Sequence, residues 1–67
     1  MKFSYWLKEA RLNAGKSQVQ LAEELGINYV TLNFYENGKS TPTITNLKKI
    51  ADYFNIEVAE LRKMEEN

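Results

Sequence analysis

"SQVQLAEELGINYVTLNFYENGK" occupies residues 17–39 and carries the signals of two short helices separated by a tight turn. Ser17 offers an N-cap hydroxyl, and Gln20, three residues on, can complete a capping box. Val19, Leu21, Ala22 and Leu25 follow, and Gly26 can supply the left-handed residue that closes a helix. The spacing predicts a helix over about 18–25. Asn28 can cap another over about 29–36, which stops at "ENGK", where Asn37 and Gly38 both tolerate positive φ. Ala22 is small, so the second of these helices can cross closely above it. Ile27 and Leu32 can plug the angle between them. Two short helices joined by so tight a turn form a helix-turn-helix unit. Its geometry turns the N-terminal part of the second helix outward, where it can enter a major groove of DNA.

The flanking sequence supplies the support. Phe3, Leu7, Ala10 and Ala14 recur at helical steps before Gly15, which predicts a first helix over about 3–13. "KSTPT" at 39–43 reads as a loop, with Pro42 barring helix before it and Thr43 placed to cap. Ile44, Leu47, Ile50, Ala51 and Phe54 share a stripe, so a fourth helix is expected over about 44–54, ended by Asn55. Val58, Leu61 and Met64 mark a fifth over about 57–64, and the end, 65–67, is expected to fray. The expectation is an all-α, compact five-helix single domain over residues 1–67, with its core in 3–61. Tyr5, Trp6 and Leu12 are expected to pack against the fifth helix around Val58, Leu61 and Met64.

Composition narrows the chemistry. A chain of 67 residues leaves little room for a deep substrate site. There is no cysteine, hence no disulfide framework or thiolate metal site. Histidine is absent too, which removes the commonest general base and metal ligand. No glycine-rich phosphate loop or nucleophile–base constellation accompanies the carboxylates, so an enzyme is the weakest reading, and no cofactor is expected. No apolar run approaches the ~20 residues of a membrane span, and the start lacks a signal-peptide core; a cytoplasmic protein is expected. Nine basic and nine acidic residues give zero net charge, which disfavours a non-specific nucleic-acid coat but leaves binding through a few placed residues open.

The chain resembles the Cro/C1-type family of phage repressors and bacterial regulators, whose fold is the lambda-repressor-like domain. "LKEAR" (7–11) looks like the family's first helix, and "SQVQLAEELGI" (17–27) is similar to its second helix and turn. "TLNFYENGKSTP" (31–42) resembles its recognition helix and following loop, and "LKKIADYFNIEVAEL" (47–61) its last two helices. The resemblance implies roles at matching positions. Arg11 and Glu36 match a pair that forms a salt bridge between the first helix and the end of the third. Ser17, Asn28, Asn37 and Lys39 match positions at the DNA phosphates. Tyr29, Val30 and Phe34 match the family's base-reading positions, Gln18 matches a position against the backbone or a base edge, and Leu32 and Tyr35 match core positions; Asn33, on the exposed side with them, can reach an adenine or the backbone. It implies a sequence-specific transcriptional regulator, repressor-like, that binds a two-fold double-stranded operator as a homodimer. The dimer surface is expected around Phe54, Ile56, Val58 and Leu61, on resemblance alone.

Two departures matter. Between Ser17 and Asn46 one lysine stands against three glutamates, leaving −2, where the family usually carries more basic residues. Affinity scales with phosphates neutralised, so tight binding at physiological salt is less expected. Positions 29, 30 and 34, often polar in the family, are tyrosine, valine and phenylalanine. Three explanations stay open. The apolar trio reads DNA by shape and thymine methyl groups; or it binds protein, as an antitoxin or anti-repressor does; or the helix is rotated, and Phe34 tucks against the 38–43 loop.

Overall fold

The computed structural model describes residues 2–65. Five helices follow one another: α1 (Phe3–Asn13), α2 (Gln18–Leu25), α3 (Tyr29–Glu36), α4 (Ile44–Phe54) and α5 (Val58–Glu65). The all-helical expectation holds, and the first four helices keep their predicted bounds. α5 starts and ends one residue later than predicted, so Glu65 is helical. Of the segment expected to fray, residues 66 and 67 lie outside the described residues.

α2, α3 and α4 start where side chains satisfy free amides of the first turn. Ser17 Oγ accepts from the Gln20 amide at 3.1 Å, and Gln20 Oε1 accepts from the Ser17 amide at 2.9 Å. Asn28 Oδ1 accepts from the Val30 amide at 2.7 Å, and Thr43 Oγ1 from the Asn46 amide at 3.2 Å. The ends of α2 and α4 share one closing motif. After α2, Gly26 takes φ 73°, its amide donates to Glu23 O, and the Ile27 amide donates to Ala22 O. After α4, Asn55 takes φ 56°, with matching bonds from Asn55 to Asp52 O and from Ile56 to Ala51 O. That backbone conformation costs most L-residues about 1–2 kcal/mol, which is why Gly or Asn stands at these stops.

The core draws on all five helices. Phe3 and Leu7 come from α1; Leu21, Ala22 and Leu25 from α2; Leu32 and Tyr35 from α3; Leu47, Ile50 and Ala51 from α4; and Leu61 from α5. α3 lies on both α1 and α2, while α5 lies on α4 and α1. The contact of α3 with two neighbours fixes its rotation, and so decides which of its residues face out. Tyr35 packs edge-on to Phe3, with ring centroids 6.4 Å apart, and its hydroxyl accepts from Asn46 Nδ2 at 2.9 Å.

Several expectations are corrected. Tyr5 and Leu12 do not pack on α5; they are 57% and 51% exposed. Trp6 alone turns inward, stacked on Phe3 at 6.2 Å and edge-on to Phe54 of α4 at 5.5 Å. Ile44, placed on an apolar stripe by spacing, is also exposed, as is Val19. Each belongs to the first turn of its helix. Leu61, expected at a dimer surface, has no exposed area at all and serves only the core.

Candidate nucleic-acid interface

α3 divides cleanly into two faces. Leu32, Tyr35 and Glu36 are buried; Tyr29, Val30 and Phe34 are 47%, 51% and 42% exposed. Asn33 stands between them, half-buried. Residues three and four apart are neighbours on a helix, so Val30 and Asn33, and Val30 and Phe34, share one outward strip. The exposure of Phe34 corrects the rotated-helix explanation: α3 is not turned so as to bury its ring, and the following loop is held by its backbone, through the Lys39 amide to Phe34 O at 2.9 Å.

The N-terminus of α2 stands beside this strip. Gln18, half-buried, bridges the two helices: its Nε2 donates to Glu36 Oε1 at 3.0 Å, and its Oε1 accepts from Asn33 Nδ2 at 3.2 Å. Asn33 Oδ1 in turn accepts from Asn37 Nδ2 at 3.2 Å. Ser17, capped reciprocally with Gln20, occupies one first-turn amide and leaves those of Gln18 and Val19 without intrahelical acceptors. Such free amides form a natural anion position. Asn28, Asn37 and Lys39 are exposed at the two ends of α3.

Beneath the surface, Arg11 and Glu36 hold α1 to the end of α3. Arg11 Nε donates to Glu36 Oε2 at 2.7 Å and Nη2 to Oε1 at 3.1 Å, a two-point contact with both residues buried. Arg11 Nη1 donates to Lys16 O at 3.0 Å, which fixes the loop leading into α2. A fork-to-fork pair sets orientation as well as distance.

A second polar cluster was not legible in the sequence. Glu24 on α2 accepts from Lys16 Nζ at 3.0 Å and from the Tyr53 hydroxyl of α4. The Tyr53 bond, then Lys16, hold the Glu24 carboxyl below its ordinary range. The same contact with Glu24 raises the Lys16 ammonium and the Tyr53 phenol. Lys49 Nζ, from α4, donates to Gly26 O at 3.2 Å and so caps the C-terminus of α2. No local pattern announces pairs so distant in sequence. These contacts also revise the local charge. Glu36 is neutralised by Arg11, and Glu24 by Lys16. Lys39 and Glu23 then remain as the charges on this stretch with no ion-pair partner among the described residues, so the strip is nearly neutral rather than acidic.

The family profile described as "Helix-turn-helix" matches residues 7–61, most of the chain. The chain belongs to the Cro/C1-type helix-turn-helix family. Within that family it is 41% identical, over 61 residues, to the cryptic phage CTXphi transcriptional repressor RstR of Vibrio cholerae, a match covering 91% of this chain and 54% of that protein. It is 33% identical over 66 residues to the transcriptional activator BcrR of Enterococcus faecalis, covering 98% of this chain and 32% of that one. The chain thus spans about half, or a third, of the length of these relatives. Its fold is similar to that of the restriction-modification controller protein C.AhdI of Aeromonas hydrophila, with TM-score 0.78 and 32% identity over 88% of this chain and 89% of that one. The five-helix lambda-repressor-like arrangement expected from sequence is the arrangement found. No helix among the described residues is long and apolar enough to cross a membrane.

Proposed function

We propose that this helix-turn-helix domain is a sequence-specific, double-stranded DNA-binding transcriptional regulator acting in the cytoplasm. α3 lies in the major groove. Tyr29, Val30 and Phe34 contact base edges and thymine methyl groups, while Gln18 and Asn33 supply polar contacts beside them. Ser17, Asn28, Asn37 and Lys39 take phosphates at the rim. Residues 1–67 act as one domain, and two copies bind a two-fold operator with half-sites ~34–36 Å apart. The observation that carries the reading is that α3's outward strip and α2's open N-terminus stand side by side, tied through Gln18 and Asn33. The names of the relatives, a repressor, an activator and a controller protein, point the same way.

Phe54 and Leu61 contribute little to the proposed dimer surface. Phe54 is engaged edge-on by Trp6 and Tyr53, and Leu61 is fully buried. Ile56 and Val58, half-exposed at the turn into α5, remain for it.

One observation favours a second reading. Three large apolar side chains crowd one exposed strip, and between Ser17 and Asn46 Lys39 is the one basic residue in the sequence, the composition of a protein-binding face. Salt separates the two. Binding to duplex DNA must weaken as salt rises, with a log–log slope of about −0.9 per phosphate neutralised. Duplex binding that ignores salt, or its absence at ~50 mM salt, removes the DNA reading and leaves the protein-binding one.

A further inference from the structure

The hydrogen bonds beside α3 form a directed chain. Asn37 Nδ2 donates to Asn33 Oδ1, Asn33 Nδ2 to Gln18 Oε1, and Gln18 Nε2 to Glu36 Oε1. At its inner end Glu36 is buried and also holds Arg11. A carboxylate paired with a guanidinium only accepts hydrogen bonds. The Gln18 amide must therefore turn its NH2 toward Glu36, which leaves its oxygen for Asn33. The Asn33 amide must then turn its NH2 toward Gln18, which leaves its oxygen for Asn37. One buried anion thus sets the orientation of three consecutive carboxamides, a choice that isolated amides leave open. Aligned bonds of this kind also polarise and reinforce one another.

We infer that Glu36 is a positioning residue for sequence readout: through Gln18 it fixes Asn33 so that one defined N–H and C=O edge faces the groove and accepts adenine in a single orientation. The inference rests on α3 reading bases, as proposed above. After its bonds to Gln18 and Asn37, Asn33 keeps one amide hydrogen and one oxygen lone pair. Adenine offers an acceptor at N7 and a donor at N6 in the major groove, the complement of that edge. Guanine offers two acceptors there and meets it badly. Were the amide free to flip, the edge would present its N–H and C=O either way round, and the preference for adenine at that position would weaken. Arg11 and Glu36 are thereby more than a clasp between α1 and α3: the charge of Glu36 is read out at the surface, through two amides.

The test uses a duplex enriched by the whole chain from a random pool, with single base-pair changes made in it. Binding constants give the discrimination at each position, for which a bidentate contact supplies roughly 5- to 150-fold. Asn33→Ala should flatten discrimination at one base pair per half-site and so identify it. Glu36→Gln should lower discrimination at that same base pair severalfold, while leaving it intact at positions read by Val30. In the Asn33→Ala background Glu36→Gln should have no further effect there, since residues acting in series are not additive. Because Glu36→Gln also leaves Arg11 without its counter-charge, Gln18→Met is the companion variant: it breaks the chain at the surface, spares the ion pair, and should reproduce the loss. A merely structural Glu36 would weaken binding to every duplex alike. Equal weakening across positions, or unchanged discrimination in both variants, overturns the inference while base reading stands. Failure of the unmodified chain to enrich any duplex removes base reading itself, and this inference with it.

Discussion

At the scale of single residues, two kinds of charge pair do different work. Arg11 and Glu36 are buried, two-point and reinforced by Lys16 O and Gln18. Glu36→Ala would strand a guanidinium inside the domain, and is expected to cost about 3–5 kcal/mol in urea unfolding, a large share of a small domain's stability. The Lys16–Glu24–Tyr53 cluster lies at the surface, where solvent screens it, and its effect is on pH dependence rather than on the total. Glu24's folded pKa is depressed below the ordinary 4.5, so its contribution is present above that value and lost as pH falls through the folded one. Lys16 and Tyr53 are raised above 10.5 and 10.0, so theirs is complete below those values and lost as pH rises through the folded ones. Melting temperatures of Glu24→Gln should therefore lie slightly below those of the unmodified chain between pH 5 and 9, and converge with them in acid and in strong alkali.

At the scale of elements, much was legible because the signals are local. Ser17 with Gln20, Asn28, Gly26 and Asn55 act within one turn of themselves, and the helix bounds follow from them. Gly26→Ala tests that reading. Its added methyl would meet only Lys49 Nζ at 3.9 Å, so space is not the obstacle; the positive φ is. The variant should lose about 1–2 kcal/mol by urea unfolding, with helix content kept. What failed to show was axial position. Periodicity assigns an azimuth around a helix but not how far a neighbour covers it: Ile44 shares the stripe of Leu47 and Ile50 yet stays half-exposed at the first turn of α4, while Val19 lies to one side of the Leu21, Ala22 and Leu25 face. Tyr5 and Leu12 share a face of α1 that stays exposed, and of the three residues expected against α5 Trp6 turns inward, to Phe3 and to Phe54 of α4. The bonds from Gln18 to Glu36 and from Glu24 to Tyr53 join residues 18 and 29 apart. No repeat in sequence encodes them, and only the packed fold brings them together.

At the scale of the whole molecule, the proposed function uses two of the apolar surfaces that the five helices leave outward: the strip on α3 and the half-exposed corner at Ile56 and Val58. In the proposed dimer the corner joins two copies, which place two strips about one helical turn of DNA apart. Ile56→Glu should convert a sedimenting dimer into a monomer with its far-ultraviolet dichroism unchanged, and weaken operator binding far more than binding to a single half-site. A dimer that persists would place the interface elsewhere. The near-neutral strip limits how much phosphate contact can contribute, so sequence readout has to supply more of the affinity than in a basic relative. The most direct measurement is selection from a random duplex pool at ~150 mM salt with non-specific competitor, run side by side on the unmodified chain and on a Val30→Ala, Phe34→Ala variant. The unmodified chain should enrich a palindromic motif with half-sites about one turn apart, and the variant should lose enrichment at one or two base pairs per half-site and keep the spacing. No enriched motif, or the same motif from both proteins, would overturn base reading by α3.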